Sequence, residues 1–189
     1  GASPGRGGYD RAVEAETAVS TVRKKLCRFF GADEAHRVCF TYNATDALNL
    51  LIQGLVQPGS HVVSSRLEHN SVLRPLHHLQ RQGRISFDLV PFNPDGFIEP
   101  DQVSAAIRPA TKLVILTHAS NVLGTVQPVE EIAAVCRSRE VPLVLDTSQS
   151  AGAIPIRLQD WGVQAIAFTG HKSLLGPTGI GGLVLAPDL

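Results

Sequence analysis

A lysine in a glycine-rich loop just past an apolar strand is an unusual place for a solvated charge. Residues 165–182 read AIAFTGHKSLLGPTGIGG, and Lys172 stands three residues beyond the apolar run. A lysine amine forms Schiff bases with carbonyl compounds once it is partly desolvated. The run is not a nucleotide-binding P-loop, because His171 separates Gly170 from Lys172. Asp146 ends a second apolar run, Val-Pro-Leu-Val-Leu, and a carboxylate there is costly without a cationic or hydrogen-bonding partner. Thr147, Ser148, Gln149 and Ser150 follow it. Asn43-Ala44-Thr45-Asp46 opens a helix after a third strand. The unpaired N–H groups and positive end of such a helix suit a phosphate, with the Thr45 hydroxyl as a further donor; Asn43 can equally be a plain N-cap. His69, in Glu68-His69-Asn70-Ser71, and Asn121, in Ser120-Asn121-Val122-Leu123-Gly124-Thr125, also follow strands. Each has an ordinary reading as a loop or turn residue that satisfies local backbone groups.

The elements that must position these residues alternate along the chain. Helices are predicted over 9–30, 44–56, 71–81, 99–108 and 129–139, and strands over 37–41, 61–65, 85–91, 112–117, 141–146, 165–169 and 180–186. The first helix carries an apolar stripe of Ala15, Val19, Val22, Leu26 and Phe29. Helices between strands imply right-handed crossovers and a mostly parallel sheet covered on both faces, a three-layer α/β/α architecture. The last two strands are too close in sequence for a crossover helix and are expected to be antiparallel neighbours, or to be joined by an irregular loop. In such sheets ligands bind beyond the carboxyl ends of the strands, where an anion seat, a ring partner, an amide, a carboxylate and a lysine all fall. Those are the parts of a pyridoxal 5′-phosphate site.

The same blocks resemble class V aminotransferase-fold enzymes, which are pyridoxal-phosphate proteins of fold type I, and within them the cysteine desulfurase-like group. Phe168-Thr169-Gly170-His171-Lys172 with Leu175-Gly176-Pro177-Thr178-Gly179-Ile180-Gly181 is similar to the family's lysine loop, and residues 40–49 to its phosphate loop. Glu68–Ser71, Ser120–Thr125 and Asp146–Gly152 are similar to three further blocks, and Ser3-Pro4-Gly5-Arg6-Gly7-Gly8 to a segment near the family N-terminus. The resemblance implies that Lys172 holds the cofactor as a Schiff base and then acts as the base at the substrate α-carbon. It implies that Asp146 pairs with the pyridinium nitrogen, Gln149 contacts the ring hydroxyl, and His69 stacks on the ring and relays protons. Ala44, Thr45, Thr169 and His171 would hold the phosphate, and Asn121 the substrate carboxylate. The implied reaction converts L-cysteine to L-alanine, with the sulfur passed to an enzyme cysteine and on to an acceptor protein, in a homodimer. Transamination, selenocysteine lyase chemistry and β-elimination would use the same residues, and a catalytically silent fragment is the reading from another class.

The family carries its substrate-binding arginine and sulfur-accepting cysteine in a small C-terminal domain. Neither is found in residues 1–189, which are expected to be the large domain alone, cut at both ends and inactive by itself. There is no methionine, and Pro187-Asp188-Leu189 follows an apolar run. Seventeen basic and seventeen acidic residues give zero formal charge and no basic stripe, which disfavours nucleic acid as a partner. No apolar run is long enough to span a membrane. Cys27, Cys39 and Cys136 show no paired spacing, and are expected to be buried thiols in a reducing, cytoplasmic setting. None matches the sulfur acceptor. No Cys/His cluster has metal-ligand spacing, so no metal site is expected.

Overall fold

Apolar side chains alternate along the central strands, and the fold follows from covering both of the faces this creates. The computed structural model describes residues 3–5, 7–33, 37–187 and 189; Arg6 of the N-terminal segment lies outside them. The element order is α1 (Asp10–Phe29), β1 (Val38–Thr41), α2 (Ala44–Leu55), β2 (Ser60–Ser65), α3 (Asn70–Arg81), β3 (Ile85–Val90), α4 (Pro100–Ala106), β4 (Thr111–Thr117), α5 (Val129–Ser138), β5 (Leu143–Asp146), α6 (Leu158–Trp161), β6 (Ala165–Thr169) and β7 (Gly181–Leu185). The strands form one sheet in the order β1-β7-β6-β5-β4-β2-β3. β3, β2, β4, β5 and β6 run parallel to their neighbours, and β7 pairs antiparallel with both β6 and β1. The carboxyl ends of β1, β2, β4, β5 and β6 therefore share one edge, where β7 begins.

Leu113, Ile115, Val144, Ala165, Ala167 and Leu183 face α2 and α3. Val114, Leu116, Leu143, Leu145, Ile166, Phe168 and Val184 face the other way, toward α5, α6 and the end of α1. Leu48 and Ile52 of α2 are fully buried, each worth about 1.5–3 kcal/mol. That burial clamps α2 to the sheet and fixes where its N-terminus points. Small residues let it come close: a Cβ on Gly181 would lie 2.6 Å from the Asn43 Cα, so β7 can pass beneath the first turn of α2 only as glycine.

The three-layer architecture and the antiparallel final pair are as the sequence implies. Four details differ. The apolar stripe of α1 is not its buried face: Ala12 and Cys27 are buried, whereas Val22 and Phe29 are 44% and 48% exposed. Ala15, Val19 and Leu26 of the stripe are half-buried, with Leu26 packed against the core, so periodicity alone placed the inward side off by part of a turn. Cys39 is exposed, because β1 is an edge strand paired on one side only. β5 begins at Leu143 rather than 141, since Pro142 has no N–H to give to the ladder. α6 was not predicted; it is a single turn, ended by Gly162 at φ 69°. No helix among the described residues is long and apolar enough to cross a membrane.

Candidate active site

The loops after five strands meet at the shared edge around a cavity of about 380 Å³. The segment after β1 contributes Asn43, Ala44 and Thr45. Asn43 does cap the helix, accepting from the Asp46 N–H at 2.9 Å. The N–H groups of Ala44 and Thr45, at the first positions of α2, have no intrahelical acceptor. Capping and anion binding are thus compatible: the cap takes one donor and leaves the others.

His69 and Ser71 reach the cavity from the start of α3, and Asn121 from the loop after β4. The His69 Nδ1 accepts from the Ser71 N–H at 3.1 Å, which puts a neutral ring's proton on Nε2. Asp146, Ser148 and Gln149 line the cavity after β5. Asp146 is only 4% exposed. Its Oδ1 accepts from both the N–H and the hydroxyl of Ser148, while Oδ2 has no hydrogen-bond partner among the described residues. A buried carboxylate half-satisfied by its own loop leaves one oxygen for a cation in the cavity.

Thr169, His171 and Lys172 complete the lining after β6. The Thr169 hydroxyl and His171 Nδ1 are 3.0 Å apart. The lysine loop is tightly closed: Gly170 N–H donates to Ile180 O, Gly176 N–H to Gly170 O, and Leu175 N–H to Lys172 O, each at 2.8 Å. Gly152, at φ +92°, packs against this loop, and a Cβ there would lie 2.5 Å from Ser173 O. That contact seats the loop against the turn after β5. The expected desolvation of Lys172 is not supplied by the chain itself, because Lys172 and His171 are exposed. They line the cavity from an exposed loop.

All nine predicted residues, Ala44, Thr45, His69, Asn121, Asp146, Gln149, Thr169, His171 and Lys172, line this one cavity. The donor set fits pyridoxal phosphate. Backbone N–H groups and the Thr45 hydroxyl stand at the α2 end, Asp146 offers a free carboxylate oxygen, and Lys172 lines the same cavity. Cys136 is buried and its thiol is pushed up to about 12 by that burial, which makes it unreactive. None of the three cysteines lines the cavity.

Sequence reasoning missed Glu68. It is 7% exposed; its Oε1 accepts from the Ser65 hydroxyl at 2.5 Å and the Thr117 N–H at 2.9 Å, while Oε2 is buried without a partner. The carboxyl ties the end of β2 to the end of β4, beneath His69 and Asn121. Burial pushes it up to about 8, with the nearby Asp146 adding to the effect. The unfolded value is lower, so its contribution to stability is complete below about 4.5 and is lost as the pH rises through 8. Glu68→Gln keeps the acceptor oxygen and cannot ionise. Urea unfolding of this variant should therefore show it relatively more stable than the natural protein at pH 9 than at pH 4. An unchanged difference between the two pH values would show that Glu68 is ionised in the folded protein.

The Aminotransferase class-V family model matches residues 1–189. Among curated proteins, the chain is 38% identical over 176 residues to the cysteine desulfurase IscS of Glaesserella parasuis, covering 90% of this chain and 42% of that protein. It is 31% identical over 176 residues to the IscS of Dictyoglomus turgidum, covering 91% and 44%. Among solved structures, SspA in complex with cysteine superposes with a TM-score of 0.90 at 31% identity, over 95% of this chain and 52% of that one. The apo cysteine desulfurase of Thermococcus onnurineus NA1 gives 0.90 at 29% identity, over 97% and 46%. The chain thus spans less than half the length of these curated relatives. With the family model matched from end to end and the implied blocks assembled at one edge of the sheet, the chain belongs to the class-V aminotransferase family of pyridoxal-phosphate enzymes.

Proposed function

We propose that residues 1–189 are the cofactor-binding large domain of a pyridoxal-phosphate-dependent cysteine desulfurase. The observation that carries this reading is the 380 Å³ cavity in which a free Asp146 oxygen and the Lys172 amine share one site with the open N-terminus of α2. Ala44, Thr45, Thr169 and His171 hold the phosphate. His69 covers one face of the ring, Gln149 meets the ring hydroxyl, and Asp146 holds the pyridine nitrogen in its protonated form. When bound, the cofactor supplies an electron sink that acidifies the substrate α-carbon. Asn121 orients the substrate carboxylate, and Lys172 carries the proton at that carbon. The overall change breaks the Cβ–S bond of L-cysteine, transfers the sulfur to an enzyme thiolate as a persulfide, and returns protons to Cα and Cβ to give L-alanine.

The choice of cysteine rests on the relatives named as desulfurases and on the SspA complex with cysteine. The thiol that takes the sulfur lies outside these residues, since none of the three cysteines reaches the cavity. So does the group that desolvates Lys172. We place the protein in the cytoplasm as a homodimer that hands sulfur to an acceptor protein. Val22, Phe40, Tyr42 and Ile180 line one exposed apolar groove, which supports burial against further protein.

The test uses the full-length protein loaded with pyridoxal phosphate and given L-cysteine. L-alanine and enzyme persulfide should form in equal amounts in the first turnover. Pyruvate with free sulfide would assign β-elimination instead, a keto acid with retained sulfur would assign transamination, and either result overturns the desulfurase reading.

A further inference from the structure

Ser71 lies between two residues of the site and has only one proton to offer them. Its Oγ is 2.8 Å from Thr45 Oγ1 and 2.7 Å from His69 Nδ1. Electronegative atoms this close are stable only with a hydrogen between them, so the two gaps need two hydrogens. In the free chain the hydroxyls provide both. Thr45 donates to Ser71, and Ser71 donates to Nδ1, which also receives the Ser71 N–H. His69 is then an acceptor on this side, with its proton on Nε2.

A phosphate at the α2 N-terminus changes this count. It is an acceptor and takes the Thr45 hydrogen, as the cofactor reading above requires. Ser71 must then donate to Thr45, and the second gap can be filled only by a hydrogen on the ring. We propose that Ser71 is a positioning residue that couples the phosphate seat at Thr45 to the protonation of His69 at Nδ1. The ring hydrogen passes from Nε2 to Nδ1 when the phosphate binds, at the expense of the Ser71 N–H contact to the ring. Nε2 is then a bare acceptor nitrogen, so His69 changes from donor to acceptor at that atom only when the phosphate is seated. The N–H bond at Nε2 breaks and one at Nδ1 forms, with solvent carrying the proton between them. The other titratable or charged groups lining the cavities that His69 lines are Asp146, His171, Lys172, Glu68, Arg66, Arg74, His78 and Arg84. A change at Ser71 alters none of them, so their fields cancel in a comparison of Ser71 variants.

The inference rests on phosphate binding at Thr45, and one experiment separates the two. The full-length protein with ¹⁵N-labelled histidine and backbone is titrated with inorganic phosphate and followed by NMR. Binding is read from the amides of Thr45 and Asp46, and coupling from the two ring nitrogens of His69. In the natural protein Nδ1 should move from the position of a bare nitrogen to that of an N–H, and Nε2 should move the opposite way. In Ser71→Ala the amides should still shift. The population carrying Nδ1–H should rise about tenfold less, the worth of roughly one hydrogen bond. Ser71→Thr, which restores the hydroxyl, should restore the coupling. Amide shifts with an equal Nδ1 response in the natural protein and Ser71→Ala would overturn the relay and leave the cofactor reading intact. So would amide shifts with no Nδ1 response in the natural protein. No amide shift would overturn the phosphate seat, and the relay with it.

Discussion

Lys172→Ala in the full-length protein is expected to lose desulfurase turnover by at least the ~10²–10⁴-fold that a positioned acid–base group supplies. Two roles meet in the one amine. On the proposed reading it would capture the cofactor covalently, and it would carry the proton at the substrate α-carbon. The loop around it is braced by three 2.8 Å backbone hydrogen bonds and by the close approach of Gly152 to Ser173. Truncation of an exposed side chain there leaves these supports in place. The fold and the phosphate seat at α2 should persist, so the variant should still bind pyridoxal phosphate, reversibly and more weakly. Borohydride treatment of the loaded natural protein should fix the cofactor to Lys172, and the same treatment of Lys172→Ala should leave it free to dialyse away. Peptide mapping that finds the label on another lysine, with Lys172 unmodified, would refute the assignment.

The weight on Lys172 comes from the sequence, and what the sequence could and could not show has a physical basis. Residues at the carboxyl ends of parallel strands must meet at one edge whatever the strand order, provided the strands share one sheet. That is why Thr45, His69, Asn121, Asp146 and Lys172 could be read as one site, although up to 127 positions separate them. Features that depend on strand order or on a neighbour were hidden. Cys39 is exposed because β1 is at the edge, and nothing in Val-Cys-Phe-Thr says so. The buried side of α1 depends on what packs there, and the apolar stripe lies part of a turn away from it. Glu68 is a surface-type residue by composition. Its burial arises from the meeting of β2 with β4, whose register places Val63 beside Val114. Ser71 was quoted within a motif, yet its link to Thr45 crosses 26 positions between two helices. The desolvation expected at Lys172 was the converse error: a loop beyond a buried strand need not itself be buried.

Asp146→Asn and Asp146→Ala are expected to keep the fold while slowing proton transfer at the substrate α-carbon by ~10²–10³-fold, the cost of removing one preorganised electrostatic partner. Asp146 ends β5 opposite Thr117 of β4 and Ala167 of β6, in the middle of the sheet. Backbone ladders and the apolar residues Leu143, Val144 and Leu145 hold that strand, so its last side chain is not needed to form it. On the proposed reading the carboxylate would supply charge at a buried position, with Oδ1 fixed by Ser148 and Oδ2 open to the pyridine nitrogen. Without that charge the nitrogen would lose its proton, and the cofactor would be a poorer electron sink. Asparagine preserves the shape and can still accept the Ser148 N–H, so it separates charge from packing. If charge is the cause, Asn and Ala should be impaired alike and the α-deuterium exchange of bound cysteine should slow with turnover. If packing is the cause, Asn should be close to the natural protein and only Ala should fail. Natural rates of α-deuterium exchange in Asp146→Asn would remove Asp146 from the reaction altogether.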